Sequence, residues 1–231
     1  MSADVDDMFS RIADRYDVTN RFISLGTDLW VRRRAVEIAE PQPGDDVLDC
    51  AAGTGDLTFM FRDAVGPDAR VVGTDVNGDM LSLARDKAAE RNRSDIEWTI
   101  QDVQDLPYSD NSFDITSIAY GVRNVEDPRA ALKEMARVTR PGGRVVVLEF
   151  GQPPAPIKPF YWVYNRVGIP IIGGIISGDP GAYRYLQRTS DSFPCGDDFL
   201  DLMRTVDDFD AVEAHRYMFG VNYVYRGDIE R

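Results

Sequence analysis

Two hydrophobic periods alternate along this chain. Short apolar runs at residues 47–50, 70–74, 96–100, 113–119 and 144–150 have the length and bounding of buried strands. Between them, residues 56–65, 77–91 and 127–137 repeat their apolar positions at helical spacing, with Leu81 and Ala84 on the inner face of the second. Ahead of the first strand, residues 4–40 read as helices, with stripes at Met8, Ile12, Tyr16 and at Phe22, Leu25, Leu29. Pro41-Gln42-Pro43-Gly44 and Pro141-Gly142-Gly143 punctuate the pattern, and residues 102–111 form a polar loop. Strands alternating with helices imply right-handed crossovers and a parallel sheet. The rhythm stops after Gly151. Residues 152–181 are rich in Pro, Gly and aromatics, followed by a helix at 197–204 and two β-rich runs at 211–214 and 217–225. One domain accommodates all of this: a helical amino-terminal lid (1–40), a core (41–151), an apolar insertion (152–195) and a carboxy-terminal helix with strands (196–231).

Charge narrows the partners. The formal net charge is -13, which disfavours nucleic acid. Thirty of the 39 acidic residues are Asp, and only Lys87, Lys133 and Lys158 are lysines. An Asp-rich, Lys-poor surface suits a high-salt cytoplasm or a GC-rich genome, and the sequence does not separate the two. Cys50 and Cys195 are far apart, and with the single His215 they give no metal-ligand cluster. No secretion signal opens the chain, and the most apolar stretch, 160–177, is broken by Asn165, Arg166 and Pro170. The expected location is cytoplasmic, at most peripheral at the inner face of the membrane.

The first strand breaks into Asp49-Cys50-Ala51-Ala52-Gly53-Thr54-Gly55-Asp56, a glycine turn that opens a helix. It is neither a P-loop nor a complete dinucleotide fingerprint, since the third glycine is absent. Asp75 closes the second strand, where a carboxylate can accept from both ribose hydroxyls. Asp102, followed by Val103, stands just beyond the third, where it can take an exocyclic amine of adenine. Acids at the ends of successive strands, in this order, point to an S-adenosyl-L-methionine pocket of a class I methyltransferase. Its candidate residues are Asp49, Gly53, Thr54, Gly55, Asp75, Asp102, Val103 and Ala119.

Further motifs sharpen the acceptor. Met8 to Asn20, Ser24-Leu25-Gly26 with Trp30, Tyr120-Gly121-Val122-Arg123-Asn124-Val125, Arg137 to Gly143, Leu148-Glu149-Phe150 and Ala182 to Leu186 span the chain nearly end to end. Together they resemble the menaquinone/ubiquinone C-methyltransferases. Ala52, Ala119 and Tyr120 depart from that family's usual residues. The resemblance implies a Rossmann-like α/β fold, a mostly parallel seven-stranded sheet with helices on both faces. It implies methylation of a ring carbon of demethylmenaquinol, or of its ubiquinone-pathway counterpart; another hydrophobic phenol is the alternative, and an idle scaffold of the same fold a third reading. It places Arg123 and Asn124 beside the methyl donor and Tyr16, Asp17 and Asn20 on the lid, as candidates to hold the ring. A phenolic hydroxyl ionises near 10, so its loss of a proton needs help. Arg123 is expected to stabilise the developing quinolate or orient a water, being itself too basic to act as a base. No metal is expected. The apolar segments 159–164 and 169–172 are expected to hold the prenyl tail or touch the bilayer, with a sheet cover or a contact between two copies as the plainer uses.

Overall fold

The computed structural model describes residues 3–230, apart from the side chains at 3, 4, 177, 180 and 183. Its centre is a seven-stranded sheet in the order β3-β2-β1-β4-β5-β7-β6. The strands are β1 (Val47–Cys50), β2 (Val71–Asp75), β3 (Glu97–Ile100), β4 (Phe113–Ala119), β5 (Thr139–Phe150), β6 (Phe209–Tyr217) and β7 (Asn222–Ile229). β1 to β5 run parallel, and β7 joins β5 antiparallel. The crossover helices are α3 (Asp56–Val65), α4 (Gly78–Glu90) and α5 (Pro128–Val138). All four residues of β1 are buried, as a strand covered on both faces must be.

The register decides where chemistry can sit. Cys50 pairs level with Thr74 on one side and Ile118 on the other, and Asp75 is level with Ile100. The carboxyl ends of β1 to β4 therefore share one edge. The chain order reverses between β1 and β4, which opens a crevice there. β5 begins at Thr139, earlier than the pattern indicated. Thr139 pairs with Phe113 and Arg144 with Ile115, so residues 140–143 bulge out within the strand. The Pro-Gly-Gly turn is thus inside the strand it was expected to precede.

The amino-terminal segment divides in two. α1 (Ala3–Ser24) packs Val5, Met8 and Ile12 against Ala182 of the insertion, over the crevice. α2 (Thr27–Ala39) instead joins the sheet's own core through Val31, Ala35, Val36 and Ala39. Leu25 and Gly26 adopt left-handed backbone at the joint. Phe22, still within α1, is out of phase with Met8 and Ile12 and is exposed, and Leu25, at the break itself, is largely exposed on the rim of the crevice, so neither continues that stripe. The insertion carries helices α6 (Lys158–Val163), α7 (Ile169–Ser177) and α8 (Pro180–Ser192), with a π-helical turn at Tyr164–Gly168. α9 (Asp197–Met203) precedes the β6–β7 hairpin. No described helix is long and apolar enough to cross a membrane.

Asp49 lies within β1, wholly buried, accepting from Thr58 Oγ1 at 2.6 Å and Ser117 Oγ at 2.7 Å. Burial raises its pKa from 3.8 to about 6, against the pull of those two hydroxyls. The folded chain therefore retains a proton that the unfolded chain has released, and stability falls as pH climbs through that window. The shift corresponds to about 3 kcal/mol. Asp56, lowered to about 2 with the cations Lys87 and Arg32 overcoming its burial, acts only below this range. Burial raises the Asp75 and Glu149 pKa values as well, so denaturant titrations from pH 4 to 7 should show Asp49→Asn with a shallower fall than the parent, not a flat curve; curves parallel to the parent's would contradict it.

Candidate functional site

The crevice holds two adjoining cavities. The first, of about 80 Å³, is walled by the ends of the first four strands: Ala51 and Gly53, Asp75 to Asn77, Gln101 to Val103, and Ala119 to Gly121. Phe9 and Tyr16 of α1 close it from above, and Asn124 and Val125 complete it. Two non-glycine residues at these strand ends, Ala51 and Tyr120, hold left-handed backbone (φ 49° and 58°). Such strain costs on the order of 1–3 kcal/mol and concentrates at functional sites. The two strained turns touch: a Cβ on Gly121 would stand 2.5 Å from the Ala51 Cβ, so only glycine fits there.

Asp75 ties the glycine turn to the second strand. Its Oδ2 accepts from Gly53 N at 2.8 Å and its Oδ1 from Asn77 N at 2.9 Å. Each oxygen keeps a second lone pair for a ligand hydroxyl. Burial raises its pKa in spite of these donors. Asp102 accepts from the backbone and side chain of Gln104 and lines the cavity with Val103.

The second cavity, of about 370 Å³, is larger and mostly apolar. Ile23, Leu25, Phe150, Ile157, Tyr161, Ile169, Leu186 and Phe219 are among its walls, so α1, the insertion and the β6–β7 connection all contribute. Its polar groups include Asn20, Arg32 and Arg123. Tyr16 and Tyr120 line both cavities and form their common wall. The neighbours Arg123 and Asn124 divide between them, Arg123 on the larger and Asn124 on the smaller.

Arg123 is ion-paired as well as cavity-lining. Its side chain is 3% exposed and donates to Glu149 Oε1 at 2.5 Å, and Glu149 is 1% exposed. Phe150 N also donates to that oxygen at 2.8 Å, while Glu149 Oε2 and Arg123 Nε have no hydrogen-bond partner among the described residues. Burial raises the Glu149 pKa, opposed by the Arg123 charge. Tyr120 donates to Asn222 Oδ1 at 2.9 Å beneath the Arg32 guanidinium, 4.9 Å from its ring centre; burial pushes its hydroxyl pKa up.

Several expected site residues stand behind the cavity walls. Asp49 supports the turn from below. Gly55, with φ +86°, passes under Trp98, where a Cβ would meet the indole at 2.5 Å. Asp17 accepts from Thr54 Oγ1 at 2.6 Å and from Lys87 Nζ at 2.8 Å, and Lys87 also donates to Asp56. Arg21 joins Asp28 to Asp56 in the same network. Asp17, Thr54 and Lys87 therefore fasten α1 to the glycine turn, and neither Asp17 nor Thr54 reaches a cavity. Gly53, Asp75, Asp102, Val103 and Ala119 do meet at the first cavity, with Tyr16 and Asn124. Tyr185 Oη reaches Asn124 Oδ1 at 3.4 Å; the Tyr183 side chain lies outside the described residues.

The chain matches the profile of the ubiE/COQ5 methyltransferase family over residues 1–228. It is 47% identical over 224 residues to the ubiquinone/menaquinone biosynthesis C-methyltransferase UbiE of Bdellovibrio bacteriovorus, covering 96% of this chain and 94% of that one. It is 44% identical to a demethylmenaquinone methyltransferase of Thermus thermophilus, covering 96% and 99% respectively. Among solved structures, a SAM-dependent methyltransferase of Thermotoga maritima superposes with a TM-score of 0.67 at 18% identity, covering 97% of this chain and 99% of that one. At that identity the likeness is one of fold.

Proposed function

The chain belongs to the ubiE/COQ5 methyltransferase family, and on that footing we propose that it transfers a methyl group from S-adenosyl-L-methionine to a ring carbon of demethylmenaquinol, giving menaquinol. The observation that carries this reading is the junction at Tyr16 and Tyr120. A cavity that carries Asp75 and Asp102 at the strand ends meets a larger apolar one that contains a buried arginine.

The first cavity fits the donor. Asp75 has lone pairs for the ribose hydroxyls, Asp102 and Val103 flank a place for adenine, and Gly53 brings backbone close. The donor supplies an electrophilic sulfonium methyl when bound. In the second cavity the apolar walls suit a prenyl chain, and Tyr16 and Asn20 reach in from the lid to hold the ring. Arg123 stabilises the charge that grows on the ring oxygen as the hydroxyl proton leaves. The ring carbon then gains the methyl as the sulfur–methyl bond breaks and a thioether departs; the proton on that carbon passes to water as aromaticity returns, and the ring oxygen takes back a proton, so that menaquinol forms with the net release of one proton. Asn124, on the donor side, links this centre to Tyr185.

The insertion also offers a contact with the bilayer, where a prenylated acceptor resides. Phe160, Trp162, Ile171 and Ile175 are exposed there. Residues 152–195 carry four basic and two acidic side chains, in contrast to the strongly acidic chain as a whole. An apolar, locally basic face can approach lipid that the rest of the surface would be repelled by. Replacing Phe160, Trp162 and Ile175 together by Ser should lower co-sedimentation with liposomes severalfold; equal partitioning would assign the patch to cover or to self-association.

The function itself is tested by the quinones of a strain lacking the gene. Accumulated demethylmenaquinone is the expected result, and demethylated ubiquinone precursors would indicate the benzoquinol branch. An unchanged quinone profile would overturn the reading.

A further inference from the structure

The side chain that the mechanism so far leaves unexplained is Arg32. It lies on α2, only 9% exposed, and lines the larger cavity. Its Nε and Nη1 are buried without a hydrogen-bond partner among the described residues. Buried guanidinium groups are normally forked onto carboxylates or carbonyls, because their hydration is lost. Among the described residues, its guanidinium lies over the face of Tyr120, which satisfies neither of these nitrogens. The surrounding charges do not complete its bonding. Asp49 and Asp56 feel it through space, but Asp49 is occupied by Thr58 and Ser117, and Asp56 by Arg21 and Lys87. Asp28, one turn back on the same helix, is taken up by Arg21 and Ser24. Beyond Tyr120 stand Tyr16, Arg123 and Glu149, the last two paired with each other. A cation held this way, in a cavity whose walls are mostly apolar, is short of an acceptor that the described residues do not provide.

We propose that Arg32 is a second catalytic cation, which donates to a ring oxygen of the bound aromatic acceptor and stabilises it as an oxyanion alongside Arg123. The proposal rests on the methyl-acceptor reading of the larger cavity given above. Charge on the oxygen is what makes the adjacent ring carbon nucleophilic. A donor already buried and unpaired needs no reorganisation when that charge appears. Arg32 and Arg123 approach from different elements, α2 and the turn after β4, so the oxygen is gripped by the core and not by the lid.

The test uses the intact protein and 1-naphthol, whose ionisation is followed by absorbance and which needs no turnover. Naphthol bound in the presence of S-adenosylhomocysteine should ionise about one pH unit or more below free naphthol, a tenfold or greater preference for the anion. Arg32→Met should lose most of that shift, and Arg32→Lys, which keeps the charge, should retain part of it. With demethylmenaquinol, Arg32→Met should lower kcat/KM about 30-fold, the size expected for one charged hydrogen bond, with the loss mainly in kcat and smaller at higher pH. Naphthol that titrates on the parent protein as it does in free solution overturns the proposal whether or not the variants fold. So does an Arg32→Met protein with the parent's shift. If the protein shifts naphthol, and Arg32→Met loses that shift, but demethylmenaquinol is not methylated, Arg32 keeps its role and the acceptor assignment is the part that fails.

Discussion

Arg123→Met should abolish methyl transfer, by a factor of about 1,000 or more, while leaving donor affinity within about threefold. Arg123 faces the acceptor cavity and the donor residues face the other, so the two measurements separate. The substitution also strands Glu149, which is 1% exposed and loses the one cation paired with it among the described residues. Breaking a buried pair from one side typically costs about 3–5 kcal/mol. The pH dependence identifies the source. Burial already raises the Glu149 pKa in the folded chain, and removing Arg123 raises it further. Folded protein then holds a proton that unfolded protein releases, so the variant's stability should drop as pH rises above the ordinary glutamate range. A double variant, Arg123→Met with Glu149→Leu, should recover stability and flatten that pH profile while remaining inactive. Activity returning with stability would reduce Arg123 to a structural ion pair. Isothermal calorimetry for the donor and thermal melts between pH 5 and 8 provide the readings.

The buried status of these charges marks where sequence reading reached its limit. The β-α rhythm and the strand-end acids were legible because each leaves a local mark, a period, a turn or a position after a strand; the Arg-Asn pair stood out only through the family resemblance. Four of the five parallel strands lie within a residue of their expected bounds, and β5 differs because its bulge hides four residues inside the strand. Asp17, Thr54 and Lys87 were not legible as one latch. Their positions span three helices or turns, and only folding brings them within 3.2 Å of one another. Arg32 sits in the run Arg32-Arg33-Arg34, which looks like a solvated face. A signal was there: Asp28, Val31, Arg32, Ala35, Val36 and Ala39 recur at helical spacing and are all buried. An arginine in phase with an apolar stripe needs a partner. Glu149 gives the same signal in β5, as one carboxylate after Val145-Val146-Val147-Leu148.

Asp75 ties the glycine turn to the end of the second strand through Gly53 N and Asn77 N, and this sets the second large effect. Asp75→Ala removes the acceptor for Gly53 N and Asn77 N together with the expected ribose contacts. Two charged hydrogen bonds at about 1.5–3 kcal/mol each imply a loss of donor affinity of about 100-fold or more. Asp75→Asn should fall between, since an amide oxygen accepts but its nitrogen cannot. The wild-type protein should bind the donor less tightly as pH falls, because only the ionised carboxylate accepts from both hydroxyls and both amides. Burial raises the Asp75 pKa, so the weakening should begin at higher pH than for an exposed aspartate, and it should be absent in Asp75→Asn. Calorimetric titration with S-adenosylhomocysteine across pH 4 to 8 measures both. Affinity within threefold of the parent for Asp75→Ala would mean that the carboxylate serves the turn alone, and that the ribose is held from elsewhere in the cavity.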